Sequence, residues 1–389
     1  MIINFPAYAE LCLDTIEKHG FEAWFVGGCV RDSILGREFY DIDITTNALP
    51  EQIEAIFEKT VPTGKKHGTI TVIINSKPIE VTTYRSESGY SDNRHPECVK
   101  FESSIESDLS RRDFTINAFA YHRERGLLDL FNGVSDLESG IIRTVGVAHD
   151  RFNEDALRIL RAYRFASVLG FELDTETERA AHSCGDLLAN LSGERVLAEL
   201  KKLSYGKNPH IIADFIKQGH LKPFGISDSD DNINKIVKIN DEYKTAALIT
   251  LCAHSIESVK SKLKPANRLV DQIVTMNLIK TLQIPQNGTE LKLILNRLGE
   301  EYAEIYLEYA KVLYSEDDSK KLAEFAKDIF DNNEPFCLRH LKLDGSDLLK
   351  LGISGKDIKD ILTKLTLIVI QTPKLNSKPD LMALVNKIM

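Results

Sequence analysis

The sequence predicts an α+β protein, with a mixed head over about the first 150 of its 389 residues and helices after it. Up to about Asp150, short runs of β-branched and aromatic residues alternate with helical segments. From there to residue 330, apolar residues recur mainly at helical spacing. The chain is also too long for one typical core, so we expect roughly two to four domains.

Helices and strands of the head are separated by turn residues. In chain order they are a helix over 5–19, a strand over 21–26, a helix over 29–35, a strand over 40–45, a helix over 50–58 and a hairpin formed by 69–75 and 78–85. The first helix ends at Gly20, and the first strand ends at the turn Gly27-Gly28. Pro50 suits the first position of a helix. Residues 86–107 show little periodicity, so we expect a long loop that is either functional or disordered.

Helical patterns dominate the second part of the chain. The first and strongest covers residues 153–169, and Gly170 follows its end. The further predicted helices are 194–203, 210–217, 233–239, 243–253, 290–298 and 302–313. An acidic link lies at 227–231, and a last segment, 331–389, begins after Asp331-Asn332-Asn333.

Composition excludes several classes of protein. The net charge of −9 disfavours a non-specific nucleic-acid binder, although a few placed arginines and lysines can still bind RNA. No apolar run approaches the roughly 18–20 residues that span a bilayer, and the first residues do not resemble a signal peptide. The six scattered cysteines, without a Cys-x-x-Cys pair, argue against a zinc site and a disulfide framework. We therefore expect a cytoplasmic protein.

Asp41 and Asp43 carry the first chemical prediction. Residues two apart in a strand point to the same face, so both carboxylates would project together. Hard divalent cations such as Mg²⁺ prefer such oxygen ligands and accept phosphates beside them. A lone Asp-x-Asp is more often an edge strand with two solvated acids, so the prediction depends on its neighbours. Glu80, in the middle of a predicted strand, would complete a carboxylate trio or face outward.

The neighbouring glycine turn favours phosphate binding. Gly27 and Gly28 lie between a strand and a helix, where backbone N–H groups can approach a phosphate. Arg31, one turn into the helix, is placed to clamp a triphosphate. Asp32 either holds Arg31 or is a simple first-turn acid. In the run 110–118, Arg112 and Asp113 at a predicted helix start suit a phosphate and a ribose hydroxyl, or else form a pair that only caps the helix.

The run from Glu154 to Arg164 suggests recognition of a base. Its acids and arginines share a helix face, which usually means an intrahelical ion-pair ladder. Arginine only donates hydrogen bonds and an ionised aspartate only accepts them. Asp155 and Arg158 side by side can therefore accept cytosine and adenine and reject guanine and uracil. A buried charge left unpaired by the wrong base costs roughly 1–3 kcal/mol or more.

As a set, these motifs resemble the bacterial class II tRNA nucleotidyltransferase and poly(A) polymerase family. The likeness covers about residues 20–205, including the run 191–195, and a fainter one covers 341–365. It implies a polymerase-β-like head (1–150), a helical neck for base recognition (151–205), a helical body (206–330) and a helical, tRNA-binding tail (331–389). By matching positions it implies that Asp41 and Asp43 hold two Mg²⁺ ions and that Gly28 and Arg31 meet the triphosphate. It also implies that Arg112 and Asp113 meet the phosphate and ribose and that Asp155 and Arg158 pair with the base. Arg161 and Arg164 would support the base or the phosphates.

The resemblance implies an enzyme that adds C, C and A to the tRNA 3′ end from CTP and ATP without a nucleic-acid template. The loop at 86–107 resembles the family's flexible loop, which favours full CCA addition, although Asp92-Asn93 replaces the usual Asp-Gly. The alternatives are an A-adding or CC-adding enzyme, a poly(A) polymerase, or a non-catalytic RNA-binding module on the same head. We expect no membrane association and see no sign of an obligate protein partner.

Overall fold

A computed structural model describes residues 2–90, 96–228 and 230–388. The chain forms two compact units. The first comprises Met1–Ser227 with Ser261–Lys264, and the second comprises Asp228–Lys260 with Pro265–Met389. The boundary falls within the predicted acidic link, whereas the predicted division into head, neck, body and tail stays a prediction.

The strands all lie in the first unit. In chain order they are β1 (Ala23–Val26), β2 (Asp43–Thr46), β3 (Thr60–Gly64), β4 (Thr69–Ile74), β5 (Lys77–Thr83), β6 (Arg85–Tyr90), β7 (Pro96–Phe101), β8 (Phe119–His122), β9 (Gly126–Asp129), β10 (Ile141–Ile142) and β11 (Glu172–Leu173). Seven of them form one sheet in the order β3-β4-β5-β2-β1-β8-β9. The pairing of β2 with β5 is parallel, and the other pairings in this sheet are antiparallel.

The α-helices of the first unit surround this sheet or follow it. They are α1 (Ala7–Lys18), α2 (Gly28–Ile34), α3 (Pro50–Ile56), α4 (Ile105–Ser110), α5 (Gly133–Ser139), α6 (Ala148–Glu154), α7 (Leu157–Leu169), α8 (Thr175–Ser183), α9 (Gly193–Ser204) and α10 (Ala213–Lys217). Apolar residues of α1, β1, β2 and α7 belong to one buried core. The helix α7 of the predicted neck therefore shares its hydrophobic core with the head, which fixes α7 against the sheet.

The predicted hairpin is confirmed, and the structure gives its register. Ile74 pairs with Lys77 across a two-residue turn, in which Asn75 and Ser76 both have positive φ, 51° and 62°. Such turns match the twist of the strands that they join. The parallel neighbour of β5 is β2, and this pairing sets Asp43 opposite Glu80. The strand predicted over 40–45 begins only at Asp43, although the Ile42 carbonyl still accepts the Glu80 N–H at 3.1 Å.

The prediction of one long loop over 86–107 is wrong for the described residues. Strands β6 and β7 pair antiparallel, from Arg85 opposite Phe101 to Tyr90 opposite Pro96, and α4 follows. Polar residues with little periodicity still form a strand pair when each backbone group finds a partner across the ladder. The motif residues 91–95 of the predicted flexible loop lie outside the described residues.

The prediction of one helix over 153–169 is also wrong. Helix α6 ends at Glu154, and α7 begins at Leu157. Asp155 between them has an extended backbone, with φ −139° and ψ 105°, and its carboxylate accepts the Leu157 N–H at 3.0 Å. An aspartate that accepts an N–H at a helix start competes with continuation of the helix. The predicted neck also contains one short strand, β11, which pairs with β10.

The described residues of the second unit form helices and no β-strand. They are α11 (Asp241–Cys252), α12 (Ile256–Leu263, whose last turn belongs to the first unit), α13 (Asn267–Ile279), α14 (Gly288–Leu298), α15 (Ala303–Leu313), α16 (Glu316–Asp331), α17 (Gly345–Lys350), α18 (Lys356–Gln371) and α19 (Lys378–Ile388). Apolar residues of α17, α18 and α19 pack into a separate small core. None of the helices in the described parts of the chain is long and apolar enough to cross a membrane.

Candidate active site

The predicted site residues converge on one cavity of the first unit, with a volume of about 770 Å³. It is lined by every residue of the predicted set except Glu80, namely Gly28, Arg31, Asp41, Asp43, Arg112, Asp113, Asp155, Arg158, Arg161 and Arg164. Residues as far apart in the chain as Gly28 and Arg164 meet here because α2, β2 and α7 pack on the same core. The sequence motifs therefore form a single site.

The acids stand at one wall of this cavity. Asp43 is the first residue of β2 and is partly buried, whereas Asp41 is exposed. Burial chiefly raises the pKa of Asp43 to about 6; Arg112 opposes this shift, while the nearby carboxylates of Glu80 and Asp41 add to it. Desolvation and like charges disfavour the ionised carboxylate. This wall therefore carries negative charge that the protein itself neutralises incompletely.

Glu80 lies beside these acids without lining the cavity. It is the register partner of Asp43 on β5, and its side chain is exposed. Among the described residues, the carboxylate oxygens of Asp41, Asp43 and Glu80 do not all come within 4.8 Å of one another. The compact trio suggested by the sequence is therefore not formed, although the predicted strand pairing is present.

The glycine turn brings the backbone close to an arginine. Gly27 has φ 72° and ψ −131°, a conformation essentially confined to glycine. A Cβ at this position would lie 2.8 Å from Arg112 Nη1 and 3.8 Å from Asp43 Oδ2. Only a residue without a side chain leaves room for Arg112 next to Asp43.

Arg31 is fixed by partners on two sides. Asp32 accepts its Nε–H and Nη2–H at 3.0 and 2.8 Å, and Asn117 Oδ1 accepts its Nη1–H at 2.5 Å. Asp32 thus holds Arg31, as one of the two predicted roles requires. The planar guanidinium bound in this bidentate way cannot rotate freely. Arg31 therefore presents its remaining surface to the cavity in a defined orientation.

The Arg-Arg-Asp run is held by contacts that the sequence did not reveal. Asp108 is fully buried and pairs with both arginines, at 2.6 Å from Arg111 Nη2 and 3.3 Å from Arg112 Nη2. Arg112 also donates from Nη1 to the Asn117 carbonyl at 3.4 Å, whereas its buried Nε has no partner. An unpaired buried donor that lines a cavity is placed to meet an incoming acceptor. Asp108 carried no motif signal beyond its spacing from the arginines.

Asp113 is buried and makes several hydrogen bonds. Its carboxylate accepts from Arg161 Nε at 2.7 Å, from Asn117 Nδ2 at 3.1 Å and from the Phe114 N–H at 2.9 Å. Burial alone raises the pKa of Asp113, but the Arg161 charge and these hydrogen bonds outweigh it and bring the pKa to about 2. Asp113 is therefore a permanent anion that joins the head to α7. Asn117 links it to Arg31, a role that the sequence alone did not show.

The break between α6 and α7 separates Asp155 from Arg158. Asp155 pairs with Arg195 of α9, whose Nη2 lies 3.1 Å from Oδ2. Arg158 instead pairs with Glu154 and donates to two backbone carbonyls, those of Arg151 and Arg111, each at 3.1 Å. The Glu154–Arg158 pair is one rung of the expected ion-pair ladder. Asp155 and Arg158 both line the cavity, and each is oriented by its own partner.

An aromatic ring supports the remaining arginines. The guanidinium carbons of Arg164, Arg31 and Arg161 lie 4.0, 5.1 and 5.4 Å from the centroid of Phe165. Arg164 also pairs with buried Glu199 at 3.0 Å. Burial chiefly lowers the pKa of Arg164 to about 10, and Arg161 adds to this shift. The ring face attracts cations, so it offsets part of the repulsion among these three arginines. In the sequence Phe165 appeared only as a helix residue.

Comparison with known proteins identifies the class. Residues 23–143 match the model of the poly A polymerase head domain, and residues 170–224 match the model of the probable RNA and SrmB-binding site of polymerase A. The chain is 37% identical to the CCA-adding enzyme of Lactobacillus delbrueckii subsp. bulgaricus, over 88% of this chain and 87% of that protein. It is 35% identical to the CCA-adding enzyme of Pediococcus pentosaceus, over 98% and 97% of the two chains.

A solved structure agrees with this likeness. The Bacillus stearothermophilus CCA-adding enzyme in complex with CTP superposes with a TM-score of 0.75 at 29% identity, over 98% of this chain and 97% of that one. Fold and site thus define a nucleotidyltransferase. The chain belongs to the family of bacterial CCA-adding enzymes. The predicted resemblance and fold class are confirmed. Enzymes of this class generally require divalent metal ions.

Proposed function

We propose that this protein adds C, C and A to the 3′ end of tRNA from CTP and ATP, without a nucleic-acid template. The observation that carries the proposal is the meeting, in one cavity, of two aspartates, a glycine turn and an arginine cluster. The relatives and the CTP complex described above support the choice of substrates. The same cavity serves both nucleotides if protein side chains, rather than a template strand, select the base.

We propose Asp41 and Asp43 as the residues that hold Mg²⁺. A divalent cation fits this site because burial and two neighbouring carboxylates raise the pKa of Asp43. A positive ion beside these acids would stabilise their ionised form. Carboxylate oxygens are the ligands that Mg²⁺ prefers. When bound, the metal supplies activation of the tRNA 3′-hydroxyl and stabilisation of the leaving pyrophosphate.

The arginines are proposed to bind and orient the triphosphate. The cavity is lined by seven arginines and six acidic residues, a net formal charge of +1. Three of these six acids, Asp32, Asp113 and Asp155, are already paired with arginines. In the described parts of the chain, Asp41 and Asp43 form no such ion pair. Arg31, held by Asp32 and Asn117, and Arg112, with its unpaired Nε, are best placed to meet phosphate oxygens next to the acids. Fixed donors of this kind stabilise developing charge without reorganising during the reaction.

Asp155 and Arg158 are proposed to select the base. Each keeps a fixed orientation, through Arg195 and Glu154 respectively. The carboxylate accepts from the amino group of cytosine or adenine, and the guanidinium donates to the ring nitrogen beside it. Guanine and uracil place a carbonyl and a ring N–H at these positions and leave both charges unpaired. Arg161 and Arg164 support this wall from α7 through Asp113 and Glu199.

An incorporation assay tests the proposed function. Purified protein is incubated with tRNA that ends at the discriminator base, with CTP alone, ATP alone and both together. We expect two C residues from CTP alone and CCA from both. Long A tracts from ATP alone would indicate a poly(A) polymerase, and A or CC addition only would indicate a partial activity.

A pair of variants tests the metal ligands. Asp41→Ala is expected to abolish incorporation and to leave tRNA binding largely intact, because the acids hold metal rather than RNA. Asp150→Ala, an exposed acid of α6 outside the cavity, is the matched control and is expected to retain activity. Full turnover by Asp41→Ala would exclude this aspartate as a metal ligand. We further propose a cytoplasmic location, supported by Cys12, Cys29 and Cys252, which form no disulfide.

A further inference from the structure

The second compact unit contains a cluster of side chains with a different chemistry from the acids of the cavity. Glu300 begins a short helical turn after α14. Cys337 precedes a second short helical turn after α16, and His340 is the last residue of that turn. One ligand atom from each of these three residues lies within 4.8 Å of the other two, and no other group of histidine, cysteine and acidic residues in the described ranges does this. We propose that Glu300, Cys337 and His340 form a binding site for a zinc-class transition-metal ion.

The distances fit a tetrahedral ion. Glu300 Oε2 lies 3.6 Å from Cys337 Sγ, and Glu300 Oε1 lies 3.3 Å from His340 Nε2. The nitrogen–oxygen distance is long for a hydrogen bond. With the usual zinc–ligand bond lengths, tetrahedral geometry separates oxygen from sulfur by roughly 3.6 Å and oxygen from nitrogen by roughly 3.4 Å. Each Glu300 oxygen is thus at the ligand spacing from one neighbour, Oε2 from the sulfur of Cys337 and Oε1 from the nitrogen of His340.

The ligand set selects the kind of metal. A thiolate and an imidazole favour zinc-class ions over Mg²⁺, which prefers oxygen ligands throughout. One thiolate and one carboxylate together balance the two positive charges of the ion. The Glu300 side chain is 44% exposed and that of His340 28% exposed, so an ion can enter from solvent and water can complete the fourth position.

The hydrogen bonds of the metal-free cluster show what binding must change. The Phe336 N–H donates to His340 Nδ1 at 3.2 Å, which leaves the ring proton on Nε2, facing Glu300. Metal binding at Nε2 requires the ring proton to sit on Nδ1 instead, and the contact with Phe336 is then lost. The thiol of Cys337 also releases its proton to solvent. The hydrogen bonds of His340 with Phe336 and Glu300, and that of Cys337 with Glu300, are thus exchanged for three metal–ligand bonds.

A bound ion would connect two segments that are distant in the chain. Glu300 and Cys337 are 37 positions apart, and helices α15 and α16 lie between them. A metal that binds the folded state and not the unfolded chain stabilises the fold in proportion to its concentration and affinity. The proposed site is therefore structural, and it belongs to the second unit, whereas the nucleotidyl-transfer cavity belongs to the first.

Cobalt(II) provides a direct test. The full-length, reduced, metal-free protein is titrated with CoCl₂ in excess MgCl₂, which keeps cobalt away from the acids of the cavity. A cobalt–thiolate bond gives a charge-transfer absorption in the near ultraviolet that oxygen ligands do not give. We expect one equivalent of cobalt to develop this band and ZnCl₂ to remove it. Absence of the band at several equivalents would overturn the proposal.

Variants locate the site. Cys337→Ser is expected to remove the band, and Glu300→Gln to weaken cobalt binding about ten-fold or more, because each change removes one ligand. Glu301→Gln, the neighbouring acid, is the matched control and is expected to bind like the wild type. Retention of the band by Cys337→Ser would assign it to another thiol and refute the site. Unchanged nucleotide incorporation by the variants would show that they are folded.

Discussion

Substitution of Gly27 by alanine tests the link between backbone conformation and the site. Gly27 adopts φ 72° and ψ −131°. A residue with a Cβ in this conformation lowers the free energy of unfolding by roughly 1–3 kcal/mol. The new methyl group would also lie 2.8 Å from Arg112 Nη1, closer than nonbonded atoms approach, so the guanidinium must move. Because Arg112 is held only by bonds of 3.3 and 3.4 Å, this movement adds little. We expect a total destabilisation of roughly 1–3 kcal/mol.

The displaced guanidinium should also impair catalysis. Arg112 partly offsets the rise in the pKa of Asp43, so its movement weakens the charge balance of the acidic wall. A shift of about 1 Å in a positioned group lowers the rate of an enzyme roughly 100-fold. We therefore expect kcat/KM for CTP to fall between about 10-fold and 100-fold in Gly27→Ala.

Urea unfolding and incorporation kinetics measure the two effects. Trp24 is the only tryptophan of the chain, and it lies in β1 next to the turn, so its fluorescence reports unfolding of the first unit. Gly20→Ala is the matched control, because Gly20 also has positive φ, 85°, but nothing within 4 Å of a new Cβ. It should lose roughly 1–2 kcal/mol and keep its activity. Equal stability and activity of the two variants would refute the reasoning.

Three further predictions concern selectivity and pH. Arg158→Ala should relax discrimination against GTP and UTP more than it weakens tRNA affinity, in competition assays with all four nucleotides; intact selectivity would contradict base recognition by this residue. Because burial raises the pKa of Asp43 to about 6, a proton competes with Mg²⁺ for this carboxylate below that pH. The half-saturating Mg²⁺ concentration should therefore be roughly four-fold higher at pH 5.5 than at pH 7.5. Equal concentrations at the two pH values would argue against Asp43 as a ligand. The pKa of Asp113, about 2, lies below its ordinary 3.8, so its charge stabilises the fold above pH 4 by roughly 2 kcal/mol, and this stabilisation is lost as the pH falls from 4 to 2. The loss of stability in Asp113→Asn, measured by urea unfolding, should accordingly be larger at pH 7 than at pH 3, and a constant difference would contradict it.

Local features of the head were largely predictable. The glycine turn and the hairpin at Asn75-Ser76 both follow from short sequence patterns. Backbone preferences of glycine and asparagine act within a few residues, so the sequence reveals them. The two errors had different causes. Residues 86–107 contain a strand pair whose backbone partners lie across a ladder, which periodicity does not reveal. At Asp155, a carboxylate that accepts the Leu157 N–H interrupts a helix that periodicity alone extends through it.

The sequence by itself determined the chemistry of the site, since the acids, glycines and arginines that line the cavity can be read from their motifs. Only the tertiary structure decided which charge meets which: Asp113 with Arg161, Asp155 with Arg195, and Glu300 with Cys337 and His340. These partners are up to 48 positions apart in the chain. Their pairing depends on the packing of whole helices and strands on a shared core, which no local spacing encodes.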